Sequence, residues 1–137
     1  MVSCDTSDYG CQGGYLDKSW TYIMNNGIVS DKCFPYKSYD GKAFACPFTQ
    51  TKKECTEAGV EFKKYYAVKE AAQFIGNIDS AMVEISTNGP IETGFRVYQD
   101  FFQYKSGVYH HVSGSFAGGH AVKVVGWGHD STSQKDV

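Results

Sequence analysis

The chain has 137 residues, 42% of them apolar and 20% charged, with a formal net charge of −2. That is enough for one modest core, and the mixed, near-neutral charge gives no footprint for nucleic acid or an anionic membrane. No run approaches the roughly 20 apolar residues of a membrane span. Cys4, Asp5 and Asp8 interrupt the place where a secretory signal would have its apolar core, so the sequence reads as cytosolic or as lacking its natural front.

Cys4, Cys11, Cys33, Cys46 and Cys55 all lie in the first part of the chain, in polar loops containing Gly and Asp. Buried free cysteines favour apolar runs, so these read as a disulfide framework. A metal site is a poorer match, because there is no Cys-x-x-Cys pair and no nearby His. The odd number leaves one thiol without a partner, and the spacing alone does not say which.

In chain order, Gly13-Gly14 closes a turn and a helix follows from Tyr15 to Asn26. There Leu16, Trp20, Ile23 and Met24 share a face, and Asn26-Gly27 is the stop. Val29 to Gly59 has no sustained period, and a loop that long needs covalent staples or a function. A second helix is predicted from Ile78 to Thr87, capped by Asn77 and stopped by Asn88-Gly89-Pro90. Ile91, Thr93, Phe95 and Val97 then alternate with Glu92, Gly94, Arg96 and Tyr98, as a half-buried strand does. Gly107-Val108-Tyr109 reads as a short strand, and Ala121 to Trp127, apolar on both faces except at Lys123, as a central one. Helix with disulfides first and strands afterwards give an α+β architecture in two lobes.

Two places could carry chemistry. His120 opens an apolar strand just after Gly118-Gly119, whose bare backbone leaves room for a passing chain. An ordinary packed or surface histidine is the competing account. Gly13-Gly14 is either a simple turn or an exposed rail that hydrogen-bonds an extended peptide as an added strand. Glu92 points outward with no carboxylate partner, and His129 reads as part of a solvated turn with Asp130 and Ser131.

Gly10-Cys11-Gln12-Gly13-Gly14-Tyr15, Pro35-Tyr36, Asn88-Gly89-Pro90-Ile91, Val97 to Phe101, Tyr104 to Tyr109 and Gly118 to Gly128 occur in this order. Together they resemble the middle of a papain-family cysteine protease, most closely a cathepsin B-like one. The resemblance implies a partial papain-like catalytic domain over 1–137. Its helical, disulfide-bearing left lobe covers approximately 1–60 and its β-barrel-like right lobe approximately 61–137. It implies cysteine-type endopeptidase activity through a Cys thiolate and a His imidazolium, with His120 as that histidine. The family's Cys-Gly-Ser-Cys-Trp nucleophile motif and its Asn-Ser-Trp motif are absent. The expectation is therefore an internal fragment, inactive alone, that supplies the base and part of the substrate cleft.

By the same resemblance, Gly13, Gly14, Tyr15 and Leu16 serve the unprimed side of the cleft. Ala121 lies by the main pocket, Gly119 is a further substrate-binding position, and Val97, Phe102 and Ala117 line the primed side. The implied bridges are Cys4–Cys46 and Cys33–Cys55, with Cys11 unpaired because its partner lies upstream. No metal and no cofactor are implied. The partners are polypeptide substrates and a propeptide or protein inhibitor, and the location is lysosomal, vacuolar or secreted. Lys37 to Lys42 carries no histidine pair of the kind that makes cathepsin B a dipeptide remover, which predicts an endopeptidase; His110-His111 reads as structural. The competing reading is a catalytically dead homologue that binds peptides or regulates a protease.

Overall fold

The computed structural model describes residues 1–69 and 75–137. The chain forms two compact units, Met1–Phe74 and Ile75–Val137.

In the first unit a short 3-10 turn, Gly10–Gln12, leads into α1, Leu16–Asn26. The Asp8 carboxylate sits at the start of α1, accepting from Tyr15 N–H at 2.9 Å and Ser19 Oγ at 2.9 Å. A carboxylate there satisfies otherwise orphaned donors and complements the helix dipole. Gly27 ends the helix at φ +69°, its N–H bonded to the Ile23 carbonyl. It is buried, and a Cβ there would lie 2.8 Å from the Tyr66 ring, so both backbone and space call for glycine. β1, Ile28–Val29, pairs antiparallel with β2, Lys64–Tyr65.

Between β1 and β2 the long irregular segment is held by two bridges, Cys4–Cys46 and Cys33–Cys55. Phe48 packs edge to face on Phe34 and Phe62, and Phe44 tilts against Phe34, with centroids 5.3–6.2 Å apart. The bridges and the aromatic cluster replace the core that such a loop cannot build from periodic structure.

In the second unit α2, Ile78–Asn88, starts at Asn77, whose side chain accepts from Ser80 N–H at 2.8 Å. β3, Ile91–Tyr98, pairs antiparallel with β4, Phe116–Val124, in register from Ile91↔Val124 to Val97↔Gly118. The register then jumps to Tyr98↔Phe116, which leaves Ala117 as the extra residue of a β-bulge. A 3-10 turn, Gln99–Gln103, follows β3. β5, His129–Asp130, and β6, Lys135–Asp136, form a small terminal hairpin.

Two expectations change. Gly107-Val108-Tyr109 is not a strand; side chains hold that segment instead, with the Tyr104 hydroxyl on the Gly107 carbonyl and Tyr109 on Asp100. The run expected as a central strand over Ala121–Trp127 begins earlier, at Phe116, ends at Val124, and among the described residues has β3 as its only neighbour. Among the described residues the strands form three separate two-stranded sheets and no closed barrel. Closure requires each strand to have neighbours on both sides.

Apolar coverage is thin. Cys33 and Val97 are the only buried apolar residues among those described, while Tyr39, Ile78, Phe102 and Val125 are well exposed. Two compact units of about half the mass each would expose roughly 8,600 Å² in total by the usual scaling. The chain exposes 10434 Å².

Candidate active site

His120 sits in the middle of β4, directly opposite Phe95 of β3. The two rings meet edge to face, centroids 5.7 Å apart at 70°. The histidine is exposed, and among the described residues no polar group hydrogen-bonds its imidazole. An open ring nitrogen on a paired strand is free to exchange a proton with a ligand. Gly118, at φ +141°, and Gly119 precede it, and a Cβ at either would meet nothing within 4 Å. The strand therefore presents bare backbone beside the ring.

Strand alternation divides the expected site residues. His120 shares a face with Phe95 and Val97, whereas Gly119 and Ala121 belong to the other face, opposite Arg96 and Gly94. Ala117, exposed, is the bulged residue three positions before the histidine, where a bulge re-aims neighbouring side chains. Phe102 is 74% exposed. Val97 is 7% exposed, the most buried of these residues.

The glycine pair near the start has two different reasons for lacking side chains. Gly13 adopts φ +98° with open space where a Cβ would be. At Gly14 a Cβ would fall 2.5 Å from the Asp8 carboxyl carbon, the same carboxylate that starts α1. Gly13 bonds back to the turn, through Tyr9 N–H and the Gly10 carbonyl. Among the described residues Gly14 N–H and C=O have no partner, which leaves them open to an added strand. Tyr15 is exposed beside them, packed against Tyr9 with the Lys18 ammonium 4.6 Å from its ring centre, and Leu16 is half-buried.

Cys11 lies in the turn just before this pair and is the free thiol among the described residues; it is exposed.

Asp100 is a hydrogen-bonding hub that sequence reasoning missed. Its carboxylate accepts from Tyr109 Oη at 2.7 Å, Val112 N–H at 2.7 Å and Ser113 N–H at 3.1 Å. His111 Nδ1 stands 3.2 Å from each of its oxygens. The Val112 amide first, then the Ser113 amide, Tyr109 and His111, hold this carboxyl well below the ordinary carboxylate range, against an opposing desolvation. Burial first, and the adjacent Asp100 next, push the Tyr109 phenol up to about 12. His111 stacks flat on Tyr98, centroids 3.8 Å apart. His129 is in β5, with Nδ1 3.0 Å from Asp136, rather than in a free turn. No metal-binding group of three or more His, Cys, Asp or Glu occurs among the described residues, and none of their helices is long and apolar enough to cross a membrane.

The pattern of papain family cysteine proteases matches residues 1–136. The chain belongs to that family. It is 37% identical to cathepsin B-like CP3 of Giardia intestinalis over 131 residues, covering 95% of this chain and 42% of that protein. To cathepsin B of Dictyostelium discoideum it is 40% identical over 135 residues, 93% of this chain and 43% of the other. Among solved structures it is similar to procathepsin B S9 from Trypanosoma congolense, at TM-score 0.74 and 35% identity, over 98% of this chain and 44% of that one. The papain-like chain thus spans less than half the length of the cathepsin B-like relatives it matches.

Proposed function

We propose that the protein is a cysteine endopeptidase of cathepsin B-like type, with His120 as its base and acid. The observation that carries this reading is the unengaged imidazole on β4, beside two glycines, in a chain of the papain family. Four of the five cysteines are locked in bridges, and Cys11 lies in none of the family's nucleophile sequence. The proposed reaction needs an attacking thiolate other than these five.

The thiolate sulfur attacks the scissile carbonyl carbon, and the C–N bond breaks as the His120 imidazolium gives its proton to the leaving amine. Water then attacks the thioester while neutral imidazole takes its proton, releasing the acid and restoring the thiolate–imidazolium pair. An adjacent imidazolium lowers a thiol pKa by several units, which keeps the nucleophile ionised near neutrality.

Polypeptide substrates bind in extended form along Gly13-Gly14, whose open N–H and C=O at Gly14 accept a strand, with Tyr15 and Leu16 alongside. Phe102 and Ala117 contact the primed side. The absence of histidine from Lys37–Lys42 supports internal cleavage over removal of C-terminal dipeptides. A propeptide is the natural blocking partner, since a similar solved structure is that of a procathepsin B. Two bridges support an oxidising location, lysosomal, vacuolar or secreted.

The test is cleavage of an internal peptide bond by the full-length protein, with and without a thiol alkylator. Alkylation-sensitive cleavage supports the reading. Peptide binding without cleavage would instead identify a catalytically dead homologue.

A further inference from the structure

His120 has no hydrogen bond to fix its ring among the described residues, yet a base must be held within a fraction of an ångström to work. What touches it is aromatic. Phe95 meets the imidazole edge-on at 5.7 Å, Phe101 meets Phe95 at 5.2 Å and 80°, and Tyr109 meets Phe101 at 4.9 Å and 73°. Tyr104 closes the group, stacked on Phe101 at 5.6 Å and edge-on to Tyr109 at 6.0 Å. The far end is tied down by polar bonds, Tyr109 Oη to Asp100 at 2.7 Å and Tyr104 Oη to the Gly107 carbonyl.

We propose that Phe95 is the positioning residue of the His120 imidazole, and that Phe101 and Tyr109, clamped by Asp100, hold Phe95 in place. Edge-to-face pairs have a preferred geometry that aliphatic contacts lack, so a row of them transmits position. Each ring in the row leaves few alternatives to the next. The anchor is placed to matter: Asp100 also binds Val112 and Ser113, and Gln99 bonds Ser115 both ways, just before the bulge that leads to the histidine. One carboxylate therefore fixes both the aromatic row and the entry of β4.

This inference rests on His120 being the base, so the experiment separates the two. In the full-length protein, Phe95→Leu is expected to lower kcat about tenfold or more with KM within about twofold, as misplacement by a fraction of an ångström does. Phe95→Tyr, which keeps the ring, restores most of it, and Tyr109→Phe, which keeps its ring but loses the anchor, gives an intermediate loss. Phe48→Leu, in the other unit's aromatic cluster, is the structural control: it lowers melting temperature without lowering kcat. The His120 Cε1 proton resonance supplies a readout independent of activity, because the Phe95 ring current shifts it and Phe95→Leu removes that shift.

Unchanged kcat in Phe95→Leu, or an equal kcat loss in Phe48→Leu at equal melting temperature, overturns the positioning role. If the wild type cleaves nothing, the peptidase reading fails instead. The resonance then decides the positioning role alone: unchanged line position and width in Phe95→Leu and Tyr109→Phe refute it.

Discussion

Replacing Cys33 and Cys55 together by alanine tests how the first unit is held. The bridge spans a sequence separation of 22, and that of Cys4–Cys46 spans 42. Loop-closure entropy alone assigns about 3.4 kcal/mol to the shorter loop and about 3.9 kcal/mol to the longer one. Burial narrows or reverses that order. Cys33 is 1% exposed, whereas Cys46 is exposed, and deleting a buried sulfur leaves a methyl-sized void costing about 1 kcal/mol more. The Cys33 carbonyl also accepts from Thr56 N–H at 3.0 Å and Thr56 Oγ1 at 3.2 Å, so the bridge braces a local polar contact. The double variant is therefore expected to lose about 4 kcal/mol, at least as much as the Cys4/Cys46 pair. Urea unfolding followed by far-UV circular dichroism, with m-values compared, measures both. A Cys4/Cys46 loss exceeding the Cys33/Cys55 loss by about 1 kcal/mol or more would refute the argument from burial.

Further expectations concern single positions. Asn77→Ala removes the side-chain cap of α2 and should cost about 1 kcal/mol in the same assay; no change would mean the cap bond is not formed in solution. Gly14→Ala forces the Asp8 carboxylate away from Tyr15 and Ser19, and should raise KM for extended peptides more than it lowers kcat; an unchanged KM counts against the rail. Asp100 is depressed, so its contribution to stability is present above the ordinary carboxylate pKa and is lost as pH falls through its lower folded value. Stability of the second unit should therefore hold at mildly acid pH and fall only in strong acid. Asp100→Asn should flatten that fall, and equal acid profiles for the two proteins would contradict it.

The two helices and β3 were legible because their signals are local. Leu16, Trp20, Ile23 and Met24 set the period of α1, Gly27 its stop, Asn77 the start of α2, and alternation from Ile91 set β3. β4 was misjudged because its pattern is not local. Gly118 and Gly119 hide the strand's beginning, and its register is fixed by Phe95 and Val97 across the sheet rather than by its own residues. Gly107–Tyr109 looked like a strand by composition, but Gly107 sits in a bend at φ +86° and the segment is held by hydroxyl bonds to Gly107 and Asp100. Asp100 lay inside the Val97 to Phe101 motif, but nothing local gave its role: an aspartate becomes a hub only when a turn brings Tyr109, His111, Val112 and Ser113 around it. The density of aromatics from Phe95 to Tyr109 was the one available hint of the row behind His120.

The central claim is that His120 moves the proton. The most direct measurement is kcat/KM of the full-length protein and its His120→Ala variant on one internally cleaved peptide. A loss on the order of 10³-fold or more is expected, with circular dichroism unchanged. A His120→Ala protein that cleaves the peptide at the wild-type rate would contradict it.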